Sequence, residues 1–368
     1  MKLNLFLLIL LGQCCVMFCH LYEYHYVNEE KNWTEAQQYC REKHTDLATV
    51  SDMEGLKRLL NKSPGRAEAW IGLYDQTNGT RRWYWSLPGV EFNEDETEWN
   101  STEPDDHNTE NCGCILKSLK WMDISCGRHQ HFLCCDERNT SEKFYLIKQK
   151  KTWFEAQSYC RENHTDLPSG LDQLQGERLK NVLSSTGGKY VYMGLMRDTW
   201  RWSDGSSFSF RHWNKDFDDE RYNSGQCAMT VFGDEGRWKT ENCTDRKPFI
   251  CYDEKLILIK ENKTWKEALY YCRHHHHDLV TITNLDEQRW VQEKAKKAST
   301  DYVWMGLRYA CSLDFWFWVR GEVVSYKNWA PDELMDDCDM SGAMKTGGQH
   351  KWLKMNDQME FNFVCSVS

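Results

Sequence analysis

The sequence predicts three tandem copies of one mixed helix-and-strand domain, an α+β architecture in each copy, and three observations carry that reading. The segments KNWTEAQQYCREKHTDLATV from Lys31, KTWFEAQSYCRENHTDL from Lys151 and KTWKEALYYCRHHHHDLV from Lys263 are variants of one another. Each is followed by a short apolar run and then an aromatic one: AWIGL (69–73) with WYW (83–85), VYMGL (191–195) with WRW (200–202), and VWMGL (303–307) with WFW (316–318). The cysteines Cys40, Cys160 and Cys272 stand 120 and 112 residues apart. That period lets each copy bury its own core and is too long for a solenoid unit. Independent domains over 20–138, 143–254 and 256–368 are therefore expected.

Residues 1–19 have the plan of a secretory signal peptide: Lys2, a leucine-rich run from Leu3 to Leu11, then smaller residues up to a cleavage site near Cys19. An uncleaved anchor is the competing view, but the run is shorter than the ~20 residues a bilayer span needs, and Gln13 interrupts it. No later segment could span a membrane. The expected product is secreted, or displayed at a cell surface if a longer form carries an anchor. Sequons at Asn32, Asn61, Asn78, Asn100, Asn139, Asn163, Asn242 and Asn262 suit that compartment.

Within each copy, Asn32, Thr152 or Thr264 precedes a tryptophan, and Glu35, Glu155 or Glu267 follows three residues after the cap. This is the capping-box pattern of a helix start. Ala36 and Cys40, Ala156 and Cys160, and Ala268 and Cys272 are four apart, so each cysteine faces inward with its alanine. A second helix follows, SDMEGLKRLLNK in the first copy with Ser51 and Glu54 as its capping pair. The apolar runs read as buried strands and the aromatic ones as half-buried strands. Single tryptophans Trp99, Trp213 and Trp329 precede an acidic or polar stretch, and Trp121, Trp238 and Trp352 follow it. Core packing accounts for all of them.

Composition narrows the function. A net charge of −10 without clustered Lys/Arg argues against nucleic acid and anionic lipid. Beyond the three cysteines of the signal segment, 14 remain, an even number that reads as a disulfide framework in an oxidising compartment. No G-x-S-x-G, H-E-x-x-H or phosphate loop occurs, so an enzyme is not expected. The run His274 to His277 reads as an exposed helix end, because adjacent imidazoles lack the i, i+4 spacing of helical metal ligands. Between Glu91 and Glu110 there are nine acidic residues and no basic one, and EPDDHNTENC (103–112) concentrates four of them. A solvated loop or a hard-cation site would both produce such a run.

The ordered set in each copy resembles the C-type lectin-like domain family: helix cysteine, (W/Y)-(I/M)-G-L, aromatic strand, Trp, inner cysteine, Trp and a terminal F-(L/I/V)-C. Tandem copies resemble the ectodomains of mannose-receptor-like and secretory phospholipase A2 receptor-like proteins. The resemblance implies two helices flanking two small antiparallel sheets, with a long loop before the inner cysteine. It also implies the pairs Cys40 with Cys134, Cys112 with Cys126, Cys160 with Cys251, Cys227 with Cys243, and Cys272 with Cys365. The third copy has Asp357 where the others have Cys126 and Cys243, so Cys338 lacks its usual partner, and Cys311, which has no equivalent in the other copies, is a candidate substitute. Cys114 and Cys135 are extra and could bridge each other.

Sugar-binding members place a Glu-Pro-Asn or Gln-Pro-Asp triplet, a later Glu and a Trp-Asn-Asp triplet around one Ca2+ that also takes sugar hydroxyls. The matching positions are Glu103-Pro104-Asp105, Glu110 and Trp121-Met122-Asp123. The resemblance thus implies a metal site of Glu103, Asp105, Glu110 and Asp123, and a ligand site of Glu103, Pro104, Asp105 and Glu110. Pro104 would occupy the family's cis-peptide position. Asp105 and Met122 stand where amide donors are expected, so the site is degenerate. The second and third copies lack the triplets. The partner is expected to be a glycan or glycoprotein, with calcium-independent recognition of a protein as the alternative.

Overall fold

The computed structural model describes residues 21–62, 65–76, 79–138, 143–217, 226–331 and 338–367. The signal-like segment, Asn78, Asn139 and much of the acidic stretches of the second and third repeats lie outside the described residues. The first repeat contains β1 (Tyr22–Lys31), α1 (Trp33–Lys43), β2 (Asp46–Leu47), α2 (Met53–Asn61), β3 (Glu68–Asp75), β4 (Arg82–Trp85), β5 (Cys112–Leu116), β6 (Trp121–Ile124) and β7 (Gln130–Cys135). The second contains β8 (Phe144–Lys151), α3 (Trp153–Asn163), α4 (Glu177–Ser184), β9 (Tyr190–Asp198), β10 (Trp200–Trp202), β11 (Gln226–Val231), β12 (Arg237–Asn242) and β13 (Lys247–Glu254). The third contains β14 (Leu256–Lys263), α5 (Trp265–His275), β15 (Asp278–Leu279), α6 (Leu285–Ala295), β16 (Tyr302–Ala310), β17 (Phe315–Trp318), β18 (Met340–Lys345), β19 (Trp352–Asn356) and β20 (Phe361–Ser366).

All three capping boxes form at α1, α3 and α5. At α2 the cap is Asp52 and not Ser51: its carboxylate accepts from the Gly55 N–H at 2.8 Å. The tryptophan after each box is buried and donates its indole N–H to a β-strand carbonyl: Trp33 to Ile71 (2.9 Å), Trp153 to Met193 (2.8 Å) and Trp265 to Met305 (2.8 Å). The next residue, Gly72, Gly194 or Gly306, has a steric reason. A Cβ on Gly72 would stand 2.9 Å from the Leu47 oxygen, and one on Gly306 the same distance from that of Leu279. His274 and His275 are exposed at the end of α5, with His276 as its C-cap.

The third repeat closes its sheet on itself, in the order β14-β20-β16-β18-β19. Strand β17 folds back on β16 across residues 311–314, with Leu307 opposite Trp318, and Asp314 takes the left-handed conformation (φ 57°) in that turn. The first two repeats do not close on themselves. They exchange halves: one sheet runs β1-β13-β3-β11-β12 and the other β6-β5-β9-β7-β8. Trp202 lies opposite Leu73, and Trp85 opposite Leu195. The helix-start amide shows the same exchange. The Trp33 N–H donates to the Cys243 carbonyl (3.0 Å) and that of Trp153 to Cys126 (2.9 Å), whereas Trp265 donates to Asp357 of its own repeat (3.1 Å). Residues 24–253 form one compact unit, so the boundary expected between 138 and 143 does not separate two independently closed domains.

The outer bridges follow the exchange and correct the pairing that the resemblance implies. Cys40 is bonded to Cys251 and Cys134 to Cys160, in place of 40–134 and 160–251. The other bridges are Cys112–Cys126, Cys227–Cys243, Cys272–Cys365 and Cys311–Cys338. Cys114 and Cys135 are not joined; both are buried thiols, and burial pushes Cys135 up to about 12. Asp357, at the missing cysteine of the third repeat, pairs with Arg308 at 3.0 Å.

Loop closure does not explain the choice, because the chain-entropy relation assigns the two outer bridges together about 9 kcal/mol in either connectivity. The linker does. Only Thr199 separates β9 from β10. Opposing Leu195 with Trp202 in one hairpin would leave Asp198 and Thr199 as a two-residue turn. A type I′ turn needs positive φ at both residues, which the β-branched Thr199 resists, and a type II′ turn calls for glycine at the first, where Asp198 stands. The strand instead runs straight through, and short strained hinges favour exchange. Non-reducing peptide mapping should join Cys40 to Cys251 and Cys134 to Cys160, and recovery of a Cys40–Cys134 peptide would overturn the exchange. Inserting Asn-Gly between Asp198 and Thr199 supplies the missing turn and should move the mapped pairs toward 40–134 and 160–251.

Candidate functional site

The acidic loop reaches the sheet through tryptophans. Trp99 bridges to Trp121, the Trp121 N–H donates to the Glu98 carbonyl (2.8 Å), and the Asn100 N–H donates to that of Trp121 (2.8 Å). On the far side the chain enters β5 at Cys112, whose bridge to Cys126 fixes the hairpin of β5 and β6. Asp123 lies on β6 with no exposed surface. The Glu103–Pro104 peptide is cis. Asp106 closes the loop tip, its carboxylate accepting from the Asn108 N–H (2.7 Å) and the Thr109 N–H (3.0 Å). Those bonds, with one from the Thr109 hydroxyl as the largest cause, hold Asp106 at about 2.

Glu103, Asp105 and Asp123 come together, each offering a carboxylate oxygen within 4.8 Å of the others. The Asp105 N–H donates to Asp123 Oδ1 at 3.3 Å. Glu110 stands at the edge of this group, 4.0 Å from Arg128, and burial with the charges of Asp123 and Asp105 raises it. Glu103 is pushed up to about 7, first by burial, then by its hydrogen bond with Asp123 and by the charges of Asp105 and Asp123. Its Oε2 is buried without a hydrogen-bond partner. Crowded carboxylates with an orphaned oxygen suit a hard cation.

The residue that the sequence did not disclose is Arg197, on β9 of the second repeat. Its guanidinium is buried and donates to Asp123 Oδ2 (3.2 Å), Asn111 Oδ1 (3.1 Å) and the carbonyls of Glu110 (2.9 Å) and Asp106. It also lies 4.7 Å over the Trp83 ring. The expected site of one repeat is thus built from two. Met196 is opposite Cys112 as Tyr74 is opposite Cys227, so Asp75 holds the position in the other sheet that Arg197 holds here. Closure within the first repeat would set Asp75 near Asp123 and lose this ion pair. The available signal was an arginine inside the apolar strand VYMGLMRD.

The family model described as Lectin C-type domain matches residues 29–136, 149–253 and 261–367. The chain belongs to this family. C-type mannose receptor 2 of Homo sapiens is 24% identical over 359 residues, covering 82% of this chain and 24% of the receptor. The secretory phospholipase A2 receptor of Oryctolagus cuniculus is 22% identical over 381 residues, covering 83% of this chain and 25% of that protein. The chain thus spans about a quarter of the length of these relatives. Human lithostathine, a solved structure, aligns with 31% of this chain and 82% of its own at 26% identity, with a TM-score of 0.28.

Removing Arg197 leaves the buried Asp123 without its cationic partner. Arg197→Ala should lower the unfolding free energy of the 24–253 unit by about 3–5 kcal/mol, read from urea denaturation of the full chain. An unchanged midpoint would show that Asp123 does not depend on it. Glu103 sets a pH dependence. Because its folded value, about 7, lies above the ordinary 4.5, its contribution to stability is complete below pH 4.5 and is lost as pH rises through 7. In chelator, the urea midpoint should fall between pH 5 and pH 8, and Glu103→Gln should flatten that fall.

Proposed function

We propose that the chain is an extracellular recognition protein, a lectin-like binder rather than an enzyme. In this reading Glu103, Asp105 and Asp123, with Glu110 at the rim, hold Ca2+ and present it to hydroxyls of a glycan or glycoprotein. The orphaned, buried Oε2 of Glu103 beside two further carboxylates carries the proposal. A bound calcium ion would supply a Lewis-acidic anchor for ligand oxygens. The chain's own part is to orient the carboxylates through the Trp99–Trp121 bridge and the Asp105–Asp123 bond, and to give up the Glu103 proton as the ion enters. No helix among the described residues is long and apolar enough to cross a membrane.

A second reading, calcium-independent binding of a protein, draws on two observations. Arg197 already neutralises Asp123, and Asp105 and Met122 provide no amide donor for a sugar hydroxyl. A mannose, galactose and fucose glycan array probed with the full chain, with and without chelator, separates the two. The calcium reading expects chelator-sensitive binding, a rise in melting temperature with calcium, and loss of both in Glu103→Gln. Calcium uptake should release a proton near pH 7 and tighten from pH 6 to pH 8. Asp105→Asn with Met122→Asn should favour mannose by restoring both donors. A melting curve indifferent to calcium, together with an empty array, would leave the protein-binding reading.

A further inference from the structure

A second cluster of metal-ligating side chains lies elsewhere in the 24–253 unit. His25 on β1, His44 at the end of α1 and Asp253 on β13 each place one donor atom within 4.8 Å of the others. His25 Nε2 is 2.9 Å from Asp253 Oδ2, and His44 Nδ1 is 3.1 Å from Asp253 Oδ1. Donors at tetrahedral angles around zinc stand about 3.3 Å apart, close to both separations. The two imidazoles stack with centroids 4.6 Å apart, which turns both rings toward the same carboxylate. His25 Nε2 is itself shielded from solvent, yet its close contact with Asp253 is misaligned for a hydrogen bond. The Asp253 carboxylate is thus the polar neighbour of this nitrogen, in an ion-pair contact without an aligned hydrogen bond.

The other two sheets show what the fold requires at this place. In the sheet of β5 and β9, Tyr145 stacks on His164 at 4.4 Å, and Asp136 lies 4.0 Å from His164 Nδ1. In the third repeat, Ile257 is opposite Cys365 as Tyr145 is opposite Cys134, and Val367 stands two residues after that cysteine as Asp136 does after Cys134. A flat or apolar side chain therefore satisfies packing. The second imidazole at position 25 is an addition that packing does not explain.

We propose that His25, His44 and Asp253 form a Zn2+ site with its fourth position open to water or to a donor from a bound partner. Two imidazoles and one carboxylate suit zinc, whereas calcium takes oxygen donors, so this site and the acidic loop select different ions. The site also depends on the exchange of halves. Closure within the first repeat would offer the two histidines Asp136 in place of Asp253.

The test is a calorimetric Zn2+ titration of the full chain in millimolar calcium. The background carries His274→Ala, His275→Ala, His276→Ala and His277→Ala, which removes the exposed histidine run. One equivalent of zinc is expected. His25→Gln, His44→Gln and Asp253→Asn should each weaken it at least about tenfold, while Asp136→Asn and Glu103→Gln leave it unchanged. Melting curves in chelator confirm that each variant is folded. Absence of stoichiometric binding, or binding that survives all three substitutions, would overturn the site. Dependence on Asp136 instead of Asp253 would overturn it as stated and reassign the carboxylate to the first repeat. Failure here leaves the calcium reading intact, because Glu103 and its neighbours share no residue with this cluster.

Discussion

A strand that fails to turn governs this molecule. Between Asp198 and Trp200 there is one residue, and the backbone that makes a hairpin in the third repeat passes straight from one sheet into the next. From that constraint follow the partners of β3 and β9, the outer disulfides, and the mixed origin of the acidic site. The polar contacts agree with it. Arg41 and Asp46 of the first repeat receive Ser203 of the second, Arg161 and Asp166 of the second receive Ser86 of the first, and Arg211 pairs with Asp198 within the second (2.8 Å). Each network is satisfied across the crossover, and buried polar groups tolerate little else.

Local chemistry was legible because it is local. Asn32, Thr152 and Thr264 announce their helices through residues three positions away, and the tryptophans announce a core through size alone. The shift of a cap from Ser51 to Asp52 is a matter of one residue between two good acceptors. Which copy a strand joins was not legible. Tandem repeats offer chemically equivalent partners, so Trp85 and Trp202 suit either leucine, Leu73 or Leu195. The deciding facts were the length of a linker and the charge at one register position, Asp75 against Arg197.

The acidic loop shows the same division. The convergence of Glu103, Asp105 and Asp123 was readable from the triplets, and the place of Glu110 at the margin was not. Arg197 changes the electrostatics of the group: it relieves Asp123 but leaves Glu103 to hold a proton near neutrality. A carboxylate cluster half neutralised by an internal cation should bind a metal less tightly than one left wholly anionic.

The order of the pieces along the chain has its own meaning. Residues 82–198 are contiguous and supply all of one sheet, with the strands of the later half of the fold coming first; the other sheet is assembled from 22–75 and 200–254 on either side. In topological terms, a circularly permuted module is inserted into the hairpin of its sibling. On the ribosome the inserted module can complete its sheet and its Cys134–Cys160 link while the outer one is still missing a half. Cys40 must wait 211 residues for its partner. A transcript cut after the first repeat would therefore encode two halves of different modules, and neither would have its complement.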